Sequence, residues 1–337
     1  MTRPFKLLAL CGALAAASGN AAAQSQVTVY GLASVEMLNI TGFNNGTLAA
    51  PQIGTQRRLD NSKVTNSRLG FRGVEDLGSG LSAVFGLEGA IALDTGAQAN
   101  ASKFWNRGSY VGLSSRSLGT LTFGRQWDIE DSIMARYFIG AGYAVFQFSE
   151  FGYISDLVDN AVKYVSPKMG GLTVQALAAP GEGSGRVWEV GGTYALGPFD
   201  MGLTHRRARN AADVESRQSS FGLSYSFGTV RVHGGIAVSD PKALGLAKAR
   251  AYDLGVVWDA LPQTQVTLDY VKRDLLDSPD DSYYVRLQGT YSLSKRTALF
   301  VNLVTLKNEG QAREKFYGAG APGVDQNVTS LGIRHWF

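Results

Sequence analysis

The 337-residue sequence has one cysteine, Cys11, only three histidines and nine prolines. A lone thiol excludes a disulfide framework and a thiolate metal site. His205, His233 and His335 stand in no metal-ligand spacing and in no Ser/His/Asp order, and no GxSxG elbow is present, so an enzyme is not expected. "GAGAPG" at 318–323 matches a dinucleotide loop in letters only, because it lies in a long link, contains Pro322 and is continued by no helical pattern. No apolar run after the first residues reaches 18, which excludes transmembrane helices. Neither sign of charge dominates: 32 Lys+Arg stand against 28 Asp+Glu, and no basic run exceeds two residues. A nucleic-acid partner is therefore not expected.

What is present begins with Arg3 and Lys6 ahead of "LLALCGALAAA", closed by Ala21-Ala22-Ala23. A basic start, a short apolar stretch and a small-residue end read as a secretory signal over 1–23, removed before Gln24. Without Arg3 and Lys6 the remaining chain, 24–337, carries 30 basic and 28 acidic residues. It reads as one domain, since no linker or shift in composition divides it.

From residue 27 on, segments of about ten residues alternate apolar and polar side chains. In "NSRLGFRGVEDLGSGLSAVFGLEGA" (66–90) Leu69, Phe71, Phe85 and Leu87 take one face, and Arg68, Arg72 and Glu88 the other. Sixteen such segments follow one another. Short Gly-, Pro- and Ser-rich turns alternate with longer polar links at 41–62, 94–106, 128–158, 240–248, 273–281 and 308–325. That is an up-and-down antiparallel meander with its long loops at one end. An open sheet of this size would expose two edges and a broad apolar face; closure into a barrel removes the edges. In an exported chain the apolar exterior then has lipid as its solvent, and the charged face lines a watery lumen. Tyr30, Phe71, Trp105, Tyr110, Phe123, Trp127, Tyr164, Phe199, Phe227, Trp258, Tyr270, Tyr291 and Trp336 lie near segment ends, where interfacial girdles are expected, more often than mid-segment.

"QVTVYGLAS", the 66–88 segment, "GTLTFGRQ", "NAVKYVSPKMGGL", "SYSFG", "LSKRTALF" and the ending "GIRHWF" together resemble the general porins of β-proteobacteria, over residues 24–337. The resemblance implies an outer-membrane homotrimer of sixteen-stranded barrels, each a diffusion channel for ions and small hydrophilic solutes. It also implies a third long loop folded into the lumen opposite a wall of arginines. Arg68 in "SRLG" falls on a pore-lining arginine and Glu88 in "LEG" on a pore-lining acid, with Arg107 and Arg125 in matching segments. Lys163 alternates away from Val162 and Tyr164 and is expected in the lumen, as is Arg72. Phe337 matches the terminal aromatic read by barrel-assembly machinery. Lipid and lipopolysaccharide are the surroundings that the resemblance implies. The third loop departs from the family, reading Ser149-Glu150-Phe151-Gly152-Tyr153 where relatives carry a longer Pro-Glu-Phe-Gly-Gly-like sequence, which leaves a substrate-selective channel or a plugged barrel with an adhesive role as the alternative.

That loop holds Asp128, Glu130, Asp131, Glu150, Asp156 and Asp159 against one Arg136. Folded inward, these acids are expected to face Arg68, Arg72 and Lys163 across the pore and set a transverse field. The apolar stretch 133–148 is expected to form a short helix against the inner wall, an inter-subunit contact being the alternative. No cofactor is expected, and calcium among the loop acids is the single metal the pattern invites.

Overall fold

The computed structural model describes residues 26–62, 65–139, 157–181 and 185–337. The expected signal segment, and Glu150 and Asp156 of the third loop, lie outside them. The strands in chain order are β1 (Gln26–Asn44), β2 (Ile53–Asn61), β3 (Arg68–Gly78), β4 (Leu81–Ala92), β5 (Ala97–Gln98), β6 (Gly108–Ser115), β7 (Gly119–Trp127), β8 (Leu157–Val165) and β9 (Leu172–Ala179). They continue as β10 (Arg186–Leu196), β11 (Phe199–Arg209), β12 (Glu215–Phe227), β13 (Val230–Asp240), β14 (Ala249–Leu261), β15 (Thr264–Leu275), β16 (Ser282–Ser292), β17 (Thr297–Asn308) and β18 (Gln326–Trp336). One short helix, α1 (Ile129–Met134), follows β7.

Each wall strand pairs antiparallel with the next, and β1 pairs with β18 to close the ring. The other edge of β1 is shared: Val35–Asn44 pair with β2 and Gln26–Leu32 with β3. β2 and β3 thus fill one wall position in succession, and β5 is a two-residue lap on the end of β4. The eighteen described strands therefore make a sixteen-position barrel. Closure leaves no sheet edge to solvate, which a lipid setting demands.

One expectation is corrected here. Residues 41–62 are not a loop throughout, because β1 runs on to Asn44 and β2 returns along it. Ile53 and Leu59 are the only large apolar residues of β2, so its period of two carries almost no hydrophobic signal. Polar links hold it instead: Arg58 donates to Asp60 at 2.6 Å and to Gln56 at 3.2 Å, and Arg57 donates to Asn39 at 3.0 Å.

The alternation divides the wall sharply. On β11, Leu203 is 60% exposed and its neighbour Thr204 is 1%. Val111, Leu254 and Leu331 share the exposed outer face, where Leu69, Phe71, Phe85 and Leu87 sit half-buried. Phe123, Tyr164, Phe227, Trp258 and Tyr291 are exposed there too. Tyr30 departs from the expected girdle by turning inward, where its hydroxyl donates to Glu88 at 3.0 Å.

The inner face is less watery than the alternation implies. Ile40, Phe300, Val304, Leu306 and Val328 point inward and are buried. Phe316 and Tyr317 of the last long loop help cover this patch, with Phe316 edge-on to Tyr284 at 5.4 Å. Inward apolar residues are satisfied by loops that fold back, so part of the lumen is a packed core.

Candidate functional site

The first element of the site is a set of guanidiniums on the β1–β4 wall. Arg68 and Arg72 lie four residues apart on β3, hence on one face. Gly70 between them gives the Tyr30 ring room; a Cβ there would stand 2.4 Å from the Tyr30 Cζ. Glu88 on β4 is the hub. Its Oε1 accepts from Arg107 Nε at 2.7 Å, its Oε2 accepts from Tyr30, and Arg68 Nε lies 3.9 Å away. Aromatic faces carry the arginines: Arg68 over Trp336 at 5.3 Å, Arg72 over Tyr30 at 5.2 Å and Arg107 over Trp127 at 4.9 Å. Such contacts contribute about 0.5–2 kcal/mol each and hold a guanidinium flat without neutralising it. Arg58 extends the set, 5.2 Å above Tyr317 and 5.9 Å from Phe43. Sequence alone does not single it out, because β2 lacks an apolar rhythm.

Arg125 has a different place. It donates to Asn106 O at 2.9 Å and pairs with Asp159, whose other oxygen takes Lys103. These groups tie the 93–107 loop to the ends of β7 and β8, beside the bulge between Gly124 and Gln126.

The second element is the root of the third loop. Residues 128–139 pack on the inward face of β10–β13. Asp128 caps α1 by accepting from Asp131 N at 2.7 Å, and Glu189 accepts from the Ile129 and Glu130 N–H groups at 2.8 and 3.3 Å. Arg206 pairs with Asp128 and stands 3.6 Å from Glu189. Lys163 donates to Ser132 Oγ at 2.7 Å, Trp127 O at 3.0 Å and Asp128 O at 3.4 Å. Asp128 and Glu189 are thus buried with Arg206 against them and Lys163 beside them, the condition under which such burial is tolerated.

Two sequence expectations change with this geometry. Glu130 does not face the arginine wall; it turns into β11 and β12 and accepts from the hydroxyls of Thr204 and Ser220. Lys163 lies beneath the loop, 9% exposed, as an anchor. Burial pushes the Glu130 carboxyl upward against the pull of those hydroxyls. Burial and the adjacent Glu189 likewise raise Asp128, with Arg206 opposing. The helix also begins earlier than the apolar stretch suggested. Ile129, Ile133, Met134, Tyr137 and Phe138 are its buried contacts, each contributing roughly 1.5–3 kcal/mol if fully removed from water.

Their seat is glycine. A Cβ on Gly191 would stand 2.8 Å from Ile129, on Gly202 2.6 Å from Ile133 and Tyr137, on Gly222 2.4 Å from Tyr137, and on Gly235 2.3 Å from Phe138. One mid-strand glycine on each of four consecutive strands, in "VGG", "MGL", "FGL" and "HGG", was the signal available in the sequence.

A closed barrel of sixteen positions, an apolar exterior, inward arginines on β2 and β3 and a loop root packed on the inner face of β10–β13 form a channel's parts. Residues 9–311 match the family described as Gram-negative porin. The chain belongs to the Gram-negative porins. It is similar over 96% of its length to outer membrane porin protein 32 of Delftia acidovorans, with 30% identity and 98% of that protein covered. Major outer membrane protein P.IB of Neisseria meningitidis serogroup A is 26% identical over 96% of this chain and 98% of its own. Among solved structures the anion-selective porin from Comamonas acidovorans superposes with TM-score 0.78 and 27% identity, over 93% of this chain and all of that one. This porin is an outer-membrane channel protein, and the relatives are channels rather than enzymes.

Proposed function

We propose that the porin is a diffusion channel for ions and small hydrophilic solutes, constricted between the arginine wall and the third loop, and that it prefers anions. The carrying observation is the balance of charge on the β18–β4 wall. Arg58, Arg68, Arg72, Arg107 and Arg334 stand there with Glu36, Asp60, Asp76 and Glu88, five cations to four acids. Most of the described loop acids are withdrawn from the pore: Asp128 and Glu130 are buried against β10–β12 and Asp159 is paired with Lys103 and Arg125, while Asp131 is half-buried on α1. A row of like charge sets ion preference in such a pore, and the similar Comamonas porin is an anion-selective one.

Homotrimeric assembly, recognition of Phe337 by assembly machinery and contact with lipopolysaccharide belong to the same proposal. Planar-bilayer recording under a KCl gradient tests it. Conductance in groups of three, with a reversal potential of the sign for chloride over potassium, is the expected result. A cation-selective reversal potential would overturn the anion preference, and single unlinked steps would overturn the trimer.

A further inference from the structure

A second polar cluster lies across the barrel from Glu88. His233 on β13, Gly255 on β14, Asp269 on β15 and Arg286 on β16 form one cross-strand row, with His233 paired to Gly255, Gly255 to Asp269, and Asp269 to Arg286. Asp253 sits two residues from Gly255 on the same inward face. His233, Asp253 and Asp269 are 1%, 2% and 0% exposed.

The hydrogen bonding brings two acceptors together. His233 Nδ1 lies 3.0 Å from the Tyr137 carbonyl. A carbonyl only accepts, so Nδ1 carries the hydrogen and the neutral ring presents a bare lone pair at Nε2. Asp269 spends Oδ2 on Arg286, which donates from Nε at 2.9 Å and Nη2 at 2.7 Å. Its Oδ1 and His233 Nε2 are buried with no hydrogen-bond donor, and they face each other at 3.3 Å. Two acceptors facing in a dry site are unfavourable unless a positive centre lies between them.

The spacing says which centre fits. A tetrahedral zinc ion with N and O ligands at about 2.0–2.2 Å sets neighbouring ligands about 3.3–3.6 Å apart. One donor atom from each of His233, Asp253 and Asp269 lies within 4.8 Å of the others, and Asp253 Oδ1 flanks the ring 3.6 Å from Nδ1. Gly255 keeps the space open, because a Cβ there would come within 2.5 Å of His233 Nε2 and 2.7 Å of Asp269 Oδ1. The Nδ1–H bond to a backbone carbonyl is the outer contact that orients a metal-ligating imidazole. One imidazole and two carboxylates, too few oxygens for calcium, select a borderline transition ion.

We propose that His233, Asp253 and Asp269 bind a divalent transition ion of the zinc type, beneath residues 137–139 of the third loop. The ion fixes the ring that holds the Tyr137 carbonyl, while Arg286 holds the Ile139 carbonyl at 3.2 Å. Metal loading therefore stiffens the seat of that loop. The proposal does not depend on the ion preference of the pore.

The test is folded, detergent-purified porin, stripped with chelator during refolding and titrated separately with zinc and cobalt. One zinc per chain is expected, with the intense visible bands of four-coordinate cobalt. His233→Gln and Gly255→Ala should each abolish both signals, whereas His205→Gln, at a half-buried histidine outside the cluster, should leave them intact. Heat-resistant electrophoretic mobility and conductance of each variant establish that the barrel is folded. Absence of stoichiometric metal in the folded wild-type porin would overturn the proposal, leaving a proton between His233 and Asp269. Binding that survives His233→Gln but is lost in His205→Gln would also overturn it, as surface adsorption.

Discussion

At Glu88 a single carboxylate meets Arg107, Arg68 and the Tyr30 hydroxyl, so its charge is outnumbered where it stands. Glu88→Gln removes that charge while a carbonyl still accepts from Arg107. Reversal-potential measurements should move further toward anions, at a stability cost of no more than about 1.5–3 kcal/mol for the weakened charged hydrogen bond. Arg68→Ala should move the reversal potential the other way. A shift in the same direction from both variants would mean that this wall does not govern selectivity. Alternation on β3 and β4 was enough to put Arg68, Arg72 and Glu88 on one face. It said nothing of the aromatic rings that carry the guanidiniums, because those come from β1, β7 and β18.

α1 is too short to be stable alone, since a six-residue helix cannot offset its nucleation cost. It persists because its cap, its charges and its apolar side all meet the wall. Arg206→Ala would leave Asp128 and Glu189 buried with Lys163 as their remaining cation, at a cost of about 3–5 kcal/mol. Limited proteolysis after Met134 or Arg136 should then be accelerated while the barrel stays heat-resistant; unchanged cleavage would show that the charge set does not hold the loop. Gly222→Val should act on the same element through volume, pushing Tyr137 off its seat, with faster cleavage and altered unit conductance. A helix against the inner wall is legible in the sequence. The burial of Glu130 is not, because a string of acids in a loop does not show which of them meets a hydroxyl on a distant strand.

The barrel closes where the ends of the chain meet. Gly31 and Phe337 exchange backbone hydrogen bonds at 3.2 Å in both directions, and the Phe337 ring lies where a Gly31 Cβ would be, 2.2 Å away. Deleting Phe337 removes the last rung of the β1–β18 seam as well as the proposed assembly signal. The yield of heat-resistant barrel should fall severalfold in cells. If refolding in detergent is unimpaired, the loss belongs to recognition; if it is equally impaired, it belongs to the seam.

The alternation of side chains, the regular exchange of short turns and long links, and the want of any helix to cover an apolar face were enough to determine an exported, closed, antiparallel barrel. Those are consequences of period and solvent, and each is local. Tertiary structure alone decided that β2 folds back along β1, that part of the lumen is a packed core, and that Arg206, Lys163 and four glycines seat the root of the third loop. The same holds for His233, Asp253 and Asp269, separated along the chain but brought into one cluster on the inner wall. Each of these depends on which strands become neighbours when the sheet closes, and on what a returning loop then finds beneath it.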